Sequence, residues 1–112
     1  MTARIALLAD GGTIGRDLRR LLDSIYGLRV AGVAVSADEL LDRVADWRPQ
    51  IVILNACRAT GFAAARRLRE AAPAVRVVAM GQSIVPRAGI TGWIRGNAPV
   101  EAWLAVILAG LS

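Results

Sequence analysis

Two polar side chains stand where apolar runs of this sequence stop. Asp10 follows "RIALLA", and Asn55 follows "IVIL". A carboxylate in Asp10's position can hold a divalent cation or move a proton. The amide of Asn55 is chemically quiet, since neither its oxygen nor its nitrogen replaces a carboxylate nucleophile at useful rates. Cys57, the single cysteine, has only Arg58 as a basic neighbour in sequence and reads as an inert thiol. The chain has no histidine, which excludes Ser-His and Cys-His mechanisms and histidine-based metal sites. "DGGTIG" at 10–15 could turn its N–H groups toward an anion. It lacks both the dinucleotide-binding glycine spacing and the phosphate-binding lysine, so it reads as a tight turn.

The elements that must position these residues follow from periodicity. Residues 4–9 form a buried strand ended by Asp10-Gly11-Gly12. Ile14, Leu18, Leu21, Leu22 and Ile25 recur at helical spacing. "LRVAGVAV" at 28–35 is a second strand, and Ser36 with Glu39 makes a capping-box start for a helix carrying Leu40, Leu41, Val44 and Trp47. Pro49 closes that helix. "IVIL" at 51–54 is the third strand, followed by a helix through Phe62, Ala65, Leu68 and Ala72. "VRVVAM" at 75–80 and "TGWIR" at 91–95 are the fourth and fifth strands. Asn97 and Pro99 open a last helix, "VEAWLAVILAGL". Strands alternating with helices in this way predict parallel βαβ units. The expected fold class is a single α/β domain over 1–112, a three-layer sandwich around a five-stranded parallel sheet. Ligands meet such sheets at the carboxyl ends of the strands. The places to look are therefore Ala9-Asp10, Asn55, Gly81 and Gly96.

Composition narrows the function classes. With 112 residues and 55% hydrophobic content the chain can bury one proper core. No apolar run reaches membrane-spanning length, and no signal peptide is evident at "MTARIALLAD", so the expectation is a cytoplasmic setting with no membrane contact. One cysteine fits a reducing compartment. The formal net charge of +5 comes from fourteen arginines and no lysine. They are spread along the chain. The densest group, "RRLR" at 66–69, lies beside Glu70 on a predicted helix without interleaved aromatics. It reads as a solvated face, and no direct nucleic-acid binding is expected.

"GLRVAGVAVSADELLDRVADWRPQIVILN", followed by "AARRLREAAPAVRVVAM", resembles the receiver domain of bacterial response regulators, most closely the NarL/LuxR-type branch. "RIALLAD" with "LRRLL", and "GWIRGNAPVEAWL", match the first and last units of that family, so the likeness runs along nearly the whole chain. The resemblance implies a flavodoxin-like strand order 2-1-3-4-5. It also implies a phosphoacceptor aspartate ending the third strand, two Mg²⁺-binding acids after the first, a Thr/Ser after the fourth and a lysine after the fifth. Carried over position by position, the first acid falls on Ala9 and only Asp10 remains. The phosphoacceptor falls on Asn55, the Thr/Ser on Gly81 (or on Met80 with the alignment one residue earlier) and the lysine on Gly96.

The pocket therefore reads as dismantled, a pseudo-receiver that needs no cofactor or metal. It is expected to act as a non-enzymatic signalling and dimerisation module of a transcriptional regulator. The resemblance also implies a C-terminal DNA-binding domain, or a partner protein, outside this chain. A small-molecule sensor using the vacated acidic pocket, or the groove left by a missing fourth helix, is the alternative.

Chain lengths carry a second expectation. Only residues 81–90 separate the fourth strand from the fifth, too few for loop, helix and loop, so the family's fourth helix should be missing or reduced. That would leave Ile84, Val85 and Ile90 with little cover near Trp93. In the last helix Val100, Trp103, Leu104, Val106, Ile107, Leu108 and Leu111 surround the axis, where one face would suffice. Trp103, Leu104, Ile107 and Leu108, together with the strip beside the fifth strand, are thus expected to form a homodimer interface.

Overall fold

The structure, a computed structural model, describes residues 3–8, 19–25, 27–55, 59–81, 90, 92–95, 102, 105–107 and 109; at 55, 59–62, 81 and 93–95 it describes the backbone alone. The strands are β1 (Ala3–Leu8), β2 (Leu28–Ala34), β3 (Ile51–Asn55), β4 (Arg76–Gly81) and β5 (Gly92–Arg95). Residues 19–23 are helical and are called α1. Two further helices, α2 (Ala37–Trp47) and α3 (Ala59–Ala71), separate β2 from β3 and β3 from β4. Residues 102, 105–107 and 109 are also helical. The sheet runs β2-β1-β3-β4-β5, and every neighbouring pair is parallel.

Successive strand residues point to opposite faces, and here both faces are covered. Ile5, Leu7, Ile51, Ile53, Val78 and Met80 pack on one side with Leu22 of α1 and Ile107. Ala6, Leu8, Val52, Leu54 and Val77 pack on the other with Leu40 of α2 and with Ala64, Ala65 and Leu68 of α3. This double burial explains why the strands read as continuous apolar runs. Among the described residues no polar or charged side chain is buried.

The outer strand β2 solves a problem of register. Val30 pairs with Ile5, but the next partner of β1, Ala6, meets Gly32, so Ala31 is an extra residue. A bulge of this kind exchanges the faces of everything beyond it. Leu28 and Val30 accordingly belong to the α1 face, whereas Ala34, also even-numbered, lies on the α2–α3 face. The bulge turns Gly32 under the indole of Trp47, and a Cβ at residue 32 would overlap that ring. Gly92 serves similarly on β5, where an added Cβ would stand 2.8 Å from Cγ1 of Val106.

Local chemistry holds the connections. Ser36 is the N-cap of α2, accepting from the Glu39 N–H at 3.1 Å. The Glu39 carboxylate reaches back to the N–H of Val35 at 3.4 Å, one residue earlier than the usual capping box provides. At the other end Arg48 is a left-handed C-cap with φ 47° and ψ 54°, a conformation in which glycine is normally favoured. Its N–H donates to the carbonyl of Val44 at 3.0 Å. Beyond it Gln50 ties three strands together. Its N–H donates to the Arg4 carbonyl, its own carbonyl accepts from Arg76, and its Oε1 accepts from the Arg4 N–H.

One expectation is overturned here. Ile107, read from sequence as part of a partner surface, is 0% exposed and sits in the core with Ile5 and Val78. Among the described residues of the last helix, Ile107 is the one buried against the sheet. Ile90 is half-buried and packs against the α2–α3 face. Residues 82–89, with the expected reduction of a helix at 81–90, lie outside the described residues, as do Ile84, Val85, Trp103, Leu104 and Leu108.

Four substitutions test this packing by urea unfolding. Gly32→Ala should lose about 1–3 kcal/mol by overpacking against Trp47, and pairing it with Trp47→Leu should recover part of that loss. Ile107→Arg should unfold the domain, since burying an unpaired charge costs several kcal/mol out of a total of about 5–15. Arg48→Gly should gain about 0.5–1 kcal/mol by relieving the left-handed backbone.

Candidate functional site

The strands deliver the candidate positions to one rim of the sheet. β3 is central, with β1 on one side and β4 on the other. Leu8 and Leu54 are register partners, so the residues that follow them, Ala9 and Asn55, succeed a common level. Asn55 is the last residue of β3 and pairs with Met80. Gly81 ends β4 and pairs with Arg95, the last residue of β5. Neighbouring parallel strands stand about 4.8 Å apart. The backbone ends of β3, β4 and β5 therefore form a continuous ledge roughly 10 Å wide at the place where open α/β sheets bind their ligands.

The five expected site positions fare differently. Asn55 and Gly81 are placed by their backbones at the carboxyl rim. Ala9 and Asp10 directly follow the end of β1, and Gly96 directly follows β5; these three lie outside the described residues. Of the interface positions, Trp93 is placed by its backbone within β5, in register with Ala79.

Arg95 is not among the expected site residues, because the family's lysine falls one residue later, on Gly96. The structure puts Arg95 at the level of Gly81, on the same rim as Asn55. The available signal was composition: in a chain whose fourteen basic residues are all arginine, a cation kept at this rim must be an arginine.

The rim offers an amide and, in sequence, one carboxylate. Among the described residues no group of three or more His, Cys, Asp or Glu side chains could hold a metal ion. No described helix is long and apolar enough to cross a membrane. Beside the rim, the first turn of α2 carries Asp38 and Glu39. Asp38 accepts from Arg67 of α3 at 2.7 Å, a pair in which both side chains are at least half exposed. Solvent screening leaves such a pair worth little, so it orients the two helix surfaces more than it stabilises them.

Comparison with known proteins agrees with this geometry. No family model matches the sequence, and no curated protein matches it. Solved structures do. A LuxR-family two-component response regulator from Aurantimonas sp. SI85-9A1 superposes with a TM-score of 0.86 at 24% identity, over 97% of this chain and 84% of that one. The signal receiver domain of the putative response regulator NarL from Mycobacterium tuberculosis gives 0.84 at 17%, over 99% and 98%. The response regulator domain of Thermotoga maritima CheB gives 0.82 at 15%, over 100% and 98%. The chain has the fold of response-regulator receiver domains.

The rim's role can be separated from the fold's stability. Asn55→Ala, at the carboxyl end of β3, should shift the urea midpoint by the equivalent of less than about 1 kcal/mol. Ile53→Ala, two residues earlier and 1% exposed, should lose about 2–5 kcal/mol.

Proposed function

We infer that this chain is a receiver-fold signalling module that works without phosphoryl transfer, as a protein-interaction domain of a transcription regulator. One observation carries the reading: the central strand, at the rim where receivers are modified, ends in Asn55. An acyl phosphate forms only on a carboxylate, and an amide offers no equivalent nucleophile. The donor set also does not fit the Mg²⁺ that the family resemblance implies. Magnesium in phosphoryl-transfer sites takes one or two carboxylates plus phosphate oxygens. Here Asp10 stands alone, with no acyl phosphate to complete the shell. Losing one acid, the phosphoacceptor and the lysine together limits the charge at this rim to Asp10 and Arg95, whereas separate losses would have left more of it unpaired.

The likeness to LuxR-type and NarL-type regulators supports transcription control as the setting. On this reading a DNA-binding domain is linked to the module or recruited by it. Homodimerisation is part of the proposal, with a smaller contact set than the sequence suggested, because Ile107 belongs to the core. Trp103, Leu104 and Leu108 are retained as the apolar surplus of the last helix. An aromatic and two leucines brought out of water supply roughly 1.5–3 kcal/mol each, before the cost of association is subtracted.

Two experiments test these statements. Incubation with acetyl phosphate and Mg²⁺ should give no phosphoryl adduct by intact-mass measurement, and a stoichiometric adduct would refute the reading. Asn55→Asp alone should stay about 100-fold or more below an intact receiver in rate, because the groups that stabilise the transferring phosphoryl are still missing. Light scattering of the unmodified chain at micromolar concentration should report a dimer. Trp103→Arg should then give a folded monomer, in contrast to the unfolded Ile107→Arg.

A further inference from the structure

The fourteen arginines look scattered in sequence, but the sheet gathers three of them at its amino rim, opposite the candidate site. Arg29 of β2 and Arg4 of β1 are register partners. Gln50 continues that level, donating its N–H to the Arg4 carbonyl at 2.9 Å, and accepts the Arg76 N–H at 3.0 Å on its other side. Arg29, Arg4 and Gln50 thus share a level across β2, β1 and β3, while Arg76, the register partner of Ile51, opens β4 one residue further along and on the opposite face, so the arginines of this rim reach across four adjacent strands, a span of about 14 Å. Arg48, the C-cap of α2, stands two residues before Gln50. All four arginines are exposed. Arg19 and Arg67 meet carboxylates, whereas none of these four guanidiniums does among the described residues.

Such a row is not neutral for folding. Like charges directly opposite on neighbouring strands repel, and Arg4 faces Arg29 with no acid between them. Nothing in the core needs arginine there. The row also lacks what a protein partner normally grips, a desolvated aromatic or aliphatic anchor. Among the described residues the one exposed large hydrophobic side chain is Val35, at the far end of β2. What remains is a set of exposed planar donors along one rim, each able to bind a phosphate through two parallel hydrogen bonds. Each strand of a duplex carries one phosphate per about 3.4 Å of helix axis, so a row of this length meets about three or four.

We propose that the amino rim of the sheet, through Arg4, Arg29 and Arg76, is a contact for the phosphate backbone of double-stranded DNA. It holds the duplex without reading its sequence, because phosphate contacts fix position and carry no base information. This differs from the sequence-based expectation, which judged the arginines by their spacing along the chain and found only 66–69 dense enough to consider.

The test is fluorescence anisotropy of a labelled mixed-sequence duplex titrated with the 112-residue chain over a range of salt concentrations. The unmodified chain should bind, with log K falling against log salt at a slope of about −2 to −3, as expected for two to three neutralised phosphates. The triple variant Arg4→Gln/Arg29→Gln/Arg76→Gln should lose at least about tenfold in affinity at low salt, and its slope should flatten by about two. Arg43→Gln/Arg66→Gln/Arg69→Gln makes the same change in net charge on α2 and α3, and should stay within about threefold of the unmodified chain. Equal losses in the two triples would overturn the proposal, leaving only diffuse charge attraction. So would an absence of binding at low salt, or displacement of the duplex by polyglutamate at equal charge, which would assign the row to an acidic protein segment. Removing facing like charges should leave the thermal midpoint of the edge triple unchanged or raised. If the triple unfolds, Arg29→Gln alone, on the outermost strand, must still weaken binding and flatten the slope by about one.

Discussion

The central strand is buried on both faces, and most of this molecule follows from that. From Ile51 to Leu54 each residue is at most 1% exposed, so β3 has no side free for a polar group. A strand held this way can offer chemistry only at its two ends. Its amino end is reached through Gln50 and its carboxyl end is Asn55. The same confinement applies to β1 and β4, whose inner residues fill the two core layers. Polar function is pushed to the two rims of the sheet, and the rims are chemically unlike. One ends in an amide and glycines, with Arg95 beside them. The other carries an arginine row.

Edges impose a second constraint. β2 has a neighbour on one side only, and an exposed outer strand is open to pairing with other chains. This chain blunts it in three ways. The bulge at Ala31 breaks the regular ladder, Trp47 lies over Gly32, and Arg29 places a charge on the strand. The N–H of Val30 donates to the Asp23 carboxylate at 2.9 Å, so one backbone donor of the strand is taken by a side chain. Arg29 thus has a protective role in any account of the protein, and the phosphate contact proposed for it would add to that role.

Residues at the carboxyl rim can vary without harm to the scaffold. The residues that differ from the family's pattern lie beyond the last core position of each strand, so changing them leaves the packing of Leu54, Ala79 and Leu8 intact. This is why a receiver-like structure can persist at 24% identity or less to the solved structures it resembles.

Much of this was legible in the amino-acid sequence, because local physics wrote it there. Doubly buried parallel strands must be continuous apolar runs, and the Ser36–Glu39 cap follows from side-chain reach alone. Asn55 could be located at the end of β3 by counting along such a run. Three facts belonged to tertiary structure. The bulge at Ala31 leaves no local signal, since a face exchange shows only when β2 is laid against β1. Ile107 looked surplus on a helix apolar all round, because a helical wheel does not say which side the sheet takes; contact with Ile5 and Val78 decided it. The arginine row was invisible because its members are 25, 21 and 26 residues apart in the steps from 4 to 29, 29 to 50 and 50 to 76. Strand pairing is non-local, and only the assembled sheet brings such residues to one rim.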